Sequence, residues 1–205
     1  MKIWGNLLAV GLAVSGGAGA AEEFPFLKPE AVRAAYAEDR AGWRDVPPLV
    51  VQAFVLAEDR GFWDRAPGRS TVTRIIGNWY PEAGARPGLA VAVAIGQALE
   101  HDEIADWFVN RVFLGQGCFG VAGAARAYFG KEVGTLEVQE MAYLAILPKG
   151  PVVFHPERDG ARALERRNWL LAQIAEARLI APEEAADAAA LPLGVRDPLG
   201  TCDAE

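Results

Sequence analysis

Residues 102–131 read DEIADWFVNRVFLGQGCFGVAGAARAYFGK. Ile104, Trp107, Phe108, Arg111 and Val112 recur three and four positions apart, the spacing that gathers side chains on one face of an α-helix, and Asp102 is the expected N-cap. Gly115 and Gly117 break this helix. A second, short and alanine-rich, is expected from Val121 to Phe129 and ends at Gly130. Trp107, Phe108 and Phe113 share the apolar periodicity, so core is the better reading for them than a ligand platform.

The same spacing extends outward. Downstream, Thr135 is the expected cap of a helix through Met141 to Leu147 that Pro148 stops. Arg162 to Ala177 is long and amphipathic, with Arg162, Arg166 and Arg167 read as a solvated face, and Pro182 opens a last alanine-rich helix. Upstream, helices are expected over Leu27 to Arg40, Leu49 to Arg60 and Leu89 to Leu99. Between the last two lies a polar stretch, Asp64 to Gly88, with apolar character only around Val72 to Ile76. The expectation is a mainly α protein.

The chain has 205 residues, 52% hydrophobic and 23% charged, enough to bury one sizeable core. A formal net charge of −7 argues against generic binding to nucleic acid, which demands clustered Lys and Arg. Residues 1–20, MKIWGNLLAVGLAVSGGAGA, place one Lys before a short apolar stretch and end in Ala18-Gly19-Ala20, the pattern of a cleavable secretory signal. The apolar run is well short of the ~20 residues of a spanning helix. The expected organisation is therefore a signal over 1–20, a helical extension over 21–45, one globular domain over 46–193 and a flexible tail over 194–205. Export would permit a disulfide between Cys118 and Cys202, but the sequence alone leaves that pairing open.

The apolar segment 46–62, VPPLVVQAFVLAEDRGF, ends in the adjacent carboxylates Glu58 and Asp59. Charged residues at helix ends are common, and a solvated helix end is the plain reading. The wider pattern points elsewhere. Glu58, Asp59 and Phe62 fill an EDxxF signature that resembles the first motif of glycosyltransferase family 51, the peptidoglycan glycosyltransferase domain of class A penicillin-binding proteins. Residues 102–115 are similar to that family's ExIxxxYxN helix, with Asn110 at its Asn. Residues 117–131 are similar to its GxxGxxxAAxxYFGK motif, with Gly120, Tyr128, Gly130 and Lys131 at fixed, structural positions.

The resemblance implies a lysozyme-like single domain that passes a growing glycan from undecaprenyl pyrophosphate to the 4-hydroxyl of lipid II. Glu58 would be the general base and Asp59 its organiser, because a partly desolvated carboxylate is suited to take the hydroxyl proton. Two departures stand beside it. The family's GxSTITQQ appears as Gly68-Arg69-Ser70-Thr71-Val72-Thr73-Arg74-Ile75, without its glutamines. Its RKxxE appears as Arg86-Pro87-Gly88-Leu89-Ala90, without its second essential Glu, and no acid occurs between Glu82 and Glu100.

Three activities fit these residues. The first is a polymerase with an altered pyrophosphate site in which Ser70, Thr71 and Thr73 line a cleft with Glu58, and Arg69, Arg74 and Arg86 supply cations. A divalent Mg2+ or Mn2+ is the open alternative to those arginines. The second is a non-catalytic relative that binds lipid II, glycan strands or other cell-wall synthesis proteins. The third is a lytic transglycosylase using one Glu. In each the protein works outside the cytoplasm, in the periplasm or at the outer face of the inner membrane. His101, Asp102 and Glu103 are adjacent but point in different directions on a helix, so no metal site is assigned there.

Overall fold

The computed structural model describes residues 28–80 and 87–202. The signal segment and Arg86 lie outside the described residues. Helices follow in the order α1 (Pro29–Arg40), α2 (Pro48–Glu58), α3 (Thr71–Gly77), α4 (Pro87–Ala98), α5 (His101–Arg111), α6 (Val121–Phe129), α7 (Val138–Ile146), α8 (Gly160–Glu176) and α9 (Pro182–Ala190). One-turn 3-10 segments sit at Pro67–Arg69, Val133–Thr135 and Leu147–Lys149. Among the described residues the β-structure is a single antiparallel bridge between Phe113 and Phe119.

Pattern alone explains which helix is central. From Met141 to Ile146 every residue of α7 is apolar or aromatic and buried, so this stretch of the helix must be surrounded on all sides. It packs against α2, α6, α8 and α9. Helix α5 turns Ile104, Trp107 and Phe108 inward, and all three are fully buried. Each such side chain contributes roughly 1.5–3 kcal/mol by leaving water. Helix α1 packs on α4 and α5, and its Val32 and Tyr36 belong to the same hydrophobic cluster as α7. The segment read as an extension is thus part of one common core, and the protein is mainly α with one domain.

Helix interiors match the expectations more closely than helix ends do. Asp102 is not the cap of α5. Glu100 is, with the Glu103 carboxylate accepting its backbone N–H at 2.9 Å. Thr135 lies in a 3-10 turn, its hydroxyl donating to the Glu132 carbonyl, and α7 is instead capped by Glu137, whose N–H donates to Glu140 at 2.8 Å. Phe113 is 42% exposed rather than core, and its ring meets that of the exposed Phe119 at 5.1 Å.

The arginine face of α8 also differs. Arg167 is fully buried because its guanidinium donates to the carbonyls of Ala189, Leu191 and Pro192, which hold the end of α9, and burial lowers its pKa. Arg166 stacks 3.9 Å from the Trp169 ring centroid. Only Arg162 follows the expected picture, exposed and paired with Asp159.

The segment after Leu193 is docked rather than loose as far as Cys202. Backbone N–H groups of Arg196, Gly200 and Cys202 donate to the carbonyls of Tyr128, Ala127 and Gln116, and Cys202 is bonded to Cys118.

Candidate active site

Helix α2 ends at Glu58 because Asp59 leaves helical geometry, with φ −150° and ψ 96°. The two neighbouring carboxylates consequently point into different environments. Asp59 is saturated: its oxygens accept from both contacts of the Arg65 guanidinium at 2.8 and 2.9 Å, from the Gly61 N–H at 3.1 Å and from the Thr71 N–H at 2.7 Å. It ties the end of α2 to the start of α3 and has no capacity left for a substrate. Phe62 is fully buried, edge-on to Trp63 and to His101, whose Nε2 contacts the Arg65 carbonyl at 2.8 Å.

Glu58 is the opposite case. Its side chain is 5% exposed, Oε2 accepts from Lys149 Nζ at 2.8 Å, and Oε1 is buried with no hydrogen-bond partner. Buried polar atoms are nearly always paired, so an orphaned carboxylate oxygen calls for a reason, and a place for an incoming donor is a chemical one. Lys149 comes from the 3-10 turn after α7, 91 residues further along the chain. No spacing argument would have found it. The only local signal is its place after Pro148 at the stop of the most buried helix.

The hydroxyl residues do not form the expected cleft. Ser70 and Thr73 are fully buried and satisfy one another: Ser70 Oγ caps α3 by accepting from the Thr73 N–H at 2.9 Å and lies 2.6 Å from Thr73 Oγ1, which donates to the Pro67 carbonyl at 2.6 Å. They stabilise the start of α3 and are unavailable to phosphate. Thr71 adjoins Asp59 through its backbone. Arg69 and Arg74 are exposed, and neither side chain has a carboxylate partner among the described residues.

The remaining motif residues build the frame. Asn110 donates to the Asp106 carbonyl, and a Cβ on Gly120, where φ is +82°, would overlap the Asn110 carbonyl. Tyr128 is fully buried, donates to the Leu114 carbonyl at 2.8 Å, and burial pushes its pKa up to about 12. Gly130 ends α6 in the left-handed region, and Lys131 bridges both oxygens of the buried Glu140 at 2.8 and 2.9 Å. Among the described residues no three His, Cys, Asp or Glu side chains converge.

A single helical domain carries a buried glutamate at the end of an apolar helix, framed by motifs that resemble those of the peptidoglycan glycosyltransferase family. The comparisons agree: residues 88–175 match the family model described as Transglycosylase, and the chain belongs to this family, glycosyltransferase family 51. It is 32% identical over 179 residues to penicillin-binding protein 1A of Aquifex aeolicus, covering 74% of this chain and 24% of that protein. The protein of the same name from Escherichia coli is 31% identical over 166 residues, 68% of this chain and 20% of its own length. The crystal structure of penicillin-binding protein 1A from Haemophilus influenzae superposes with a TM-score of 0.51 at 28% identity, covering 74% of this chain and 17% of that one. The chain thus spans about a quarter or less of these relatives' length.

Proposed function

We propose that the protein is a peptidoglycan glycosyltransferase that extends glycan strands from lipid II, with Glu58 as general base. The observation that carries this reading is the Glu58 carboxylate, one oxygen held by Lys149 and the other buried without a donor. In the proposed step the 4-hydroxyl of the acceptor sugar donates to Oε1. As its oxygen bonds to the donor's anomeric carbon, the proton passes to Glu58 and the carbon–oxygen bond to pyrophosphate breaks, the leaving group keeping the electron pair. Proton transfer of this kind contributes about 10²–10⁴-fold. Oε1 lies below the surface, while the Lys149 side chain that holds Oε2 is 37% exposed.

The charge developing on pyrophosphate needs cations, and Lys149, Arg69 and Arg74 are the candidates. The Cys118–Cys202 disulfide supports export to the periplasm or the outer face of the inner membrane, since such bonds persist in oxidising compartments. Lipid II and nascent glycan are the proposed partners, together with other proteins of cell-wall synthesis.

Glu58→Gln tests the reading. Wild type is expected to lengthen glycan strands from lipid II, and the variant to lose this while keeping its circular dichroism spectrum. Equal rates would remove Glu58 from the chemistry. Release of anhydro-sugars from sacculi would indicate lytic cleavage, and glycan binding without turnover in both proteins would indicate a binding role.

A further inference from the structure

We propose that the protein carries a second ligand site, for a phosphate-bearing molecule, in the cavity between the α1–α2 link, α6 and the docked C-terminal segment. The cavity holds about 600 Å³, within the range of small-molecule sites. Arg44, Arg126 and Arg196 line it, brought from three segments far apart in the chain. In a protein of net charge −7, three cations converging on one space is the reverse of the average surface, and no Asp or Glu is among the described lining residues. Arg126 has one exposed carboxylate neighbour, Glu132 at 3.5 Å, while Arg44 and Arg196 have none among the described residues.

The backbone adds to this charge. Helix α6 enters the cavity with Ala122 and Gly123, and its N-cap is Gly120, which has no side chain; no side chain caps the first turn. Its N–H groups and dipole therefore favour an anion in the same space. A guanidinium fork pairs with two oxygens of either a carboxylate or a phosphate, but three arginines offer more donors than the two oxygens of one carboxylate can accept, which suits a phosphate group with its additional oxygens. Phe119, 67% exposed, supplies an apolar rim against which a sugar or acyl portion can lie.

The site depends on the disulfide. Arg196 and the wall formed by Gly200, Thr201 and Cys202 are held by backbone bonds to Ala127, Tyr128 and Gln116 and by the bond to Cys118. A Cβ on Gly123 would lie 3.0 Å from Cys202 Sγ, so the segment lies directly over the first turn of α6. Reduction frees that wall and takes one cation with it.

Calorimetric titration of the full, disulfide-bonded chain with inorganic pyrophosphate and with N-acetylglucosamine 1-phosphate tests this, alongside sedimentation with phosphatidylglycerol and phosphatidylcholine vesicles. One site per chain that weakens with salt is expected. Arg44→Glu with Arg196→Glu should weaken it by about tenfold or more, as should dithiothreitol, with helical content retained. Glu58→Gln should bind unchanged, which separates this cavity from the proposed glycosyl-transfer site. Preference for phosphatidylglycerol vesicles over the soluble phosphates would identify the source as a lipid headgroup. If the double charge reversal fails to fold, Arg196→Gln alone gives the same comparison. No binding of any phosphate probe at millimolar concentration, or wild-type affinity in the arginine variants, would overturn the proposal.

Discussion

At the scale of single residues, the Glu58–Lys149 pair makes a prediction that does not depend on the substrate. Lys149→Met removes the one donor to a buried carboxylate, and unfolding free energy should fall by about 1–3 kcal/mol. Adding Glu58→Gln should recover most of that, because a neutral amide is less costly to bury than an unpaired charge. Urea denaturation of the two single variants and the double reads the coupling; strict additivity would mean that the contact contributes nothing. Tyr128 gives a pH signature. Its folded pKa, about 12, lies above the ordinary value of 10.0, so its contribution is complete below pH 10 and is lost as pH rises through 12, the unfolded chain releasing its proton first. Tyr128→Phe should shallow the fall in stability between those values, and should cost about 1 kcal/mol at neutral pH through the bond to Leu114. Glu58 and Asp59 were legible as a pair from their place at the end of an apolar helix. Their division of labour was not, because it depends on Arg65, Thr71 and Lys149, whose approach no local pattern records.

At the scale of elements, what the sequence recorded was periodicity, and what it concealed was capping and close approach. The body of α5 follows from the spacing of Ile104, Trp107 and Phe108, whereas its start was misjudged because Glu100 is not a usual N-cap and works here through a reciprocal arrangement with Glu103. Likewise Ser70 and Thr73 looked like free hydroxyls for phosphate, and their burial follows from α3 being short and needing its cap. The crossing of α4 with the segment before α3 was equally hidden. A Cβ on Gly96 would overlap the backbone nitrogen of Gly68, and one on Gly77 would lie 2.5 Å from the Gly88 carbonyl oxygen. Gly96→Ala should therefore destabilise by at least the ~1–3 kcal/mol typical of overpacking, seen as a lower Tm, although alanine is the better helix former. On the same helix Ala90 is exposed, so Ala90→Glu should change stability by no more than about 0.5 kcal/mol. If that position is where the missing second acid belongs, the variant should also polymerise lipid II faster than wild type, and an unchanged rate would place the missing function elsewhere.

At the scale of the whole molecule, the C-terminal segment decides how the fold closes. Its position at the chain end reads as a loose tail, and Cys202 could only be said to be permitted a partner, because pairing depends on where α6 and the turn at Gly115 to Gly120 lie in space. The docked segment closes a loop between cysteines 84 residues apart, for which chain-entropy arguments give about 4–5 kcal/mol and typical measurements about 2–4. Reduction, or Cys118→Ser with Cys202→Ser, should therefore lower stability by roughly 2–4 kcal/mol. Where the loss is felt follows from what else anchors the end of the chain. Arg167 holds the carbonyls of Ala189, Leu191 and Pro192 from a fully buried position on α8, and nothing in that contact involves a cysteine. Beyond it, the segment has three backbone bonds, to Tyr128, Ala127 and Gln116, and bonds at a freed surface segment open at little cost. Hydrogen exchange on the reduced protein should accordingly show fast amides at Arg196, Gly200 and Cys202, with α9 and the central α7 still protected. Uniform loss of protection through α7 would mean instead that the disulfide holds the entire core together, and retained protection at Gly200 and Cys202 would mean that the backbone bonds dock the segment without it.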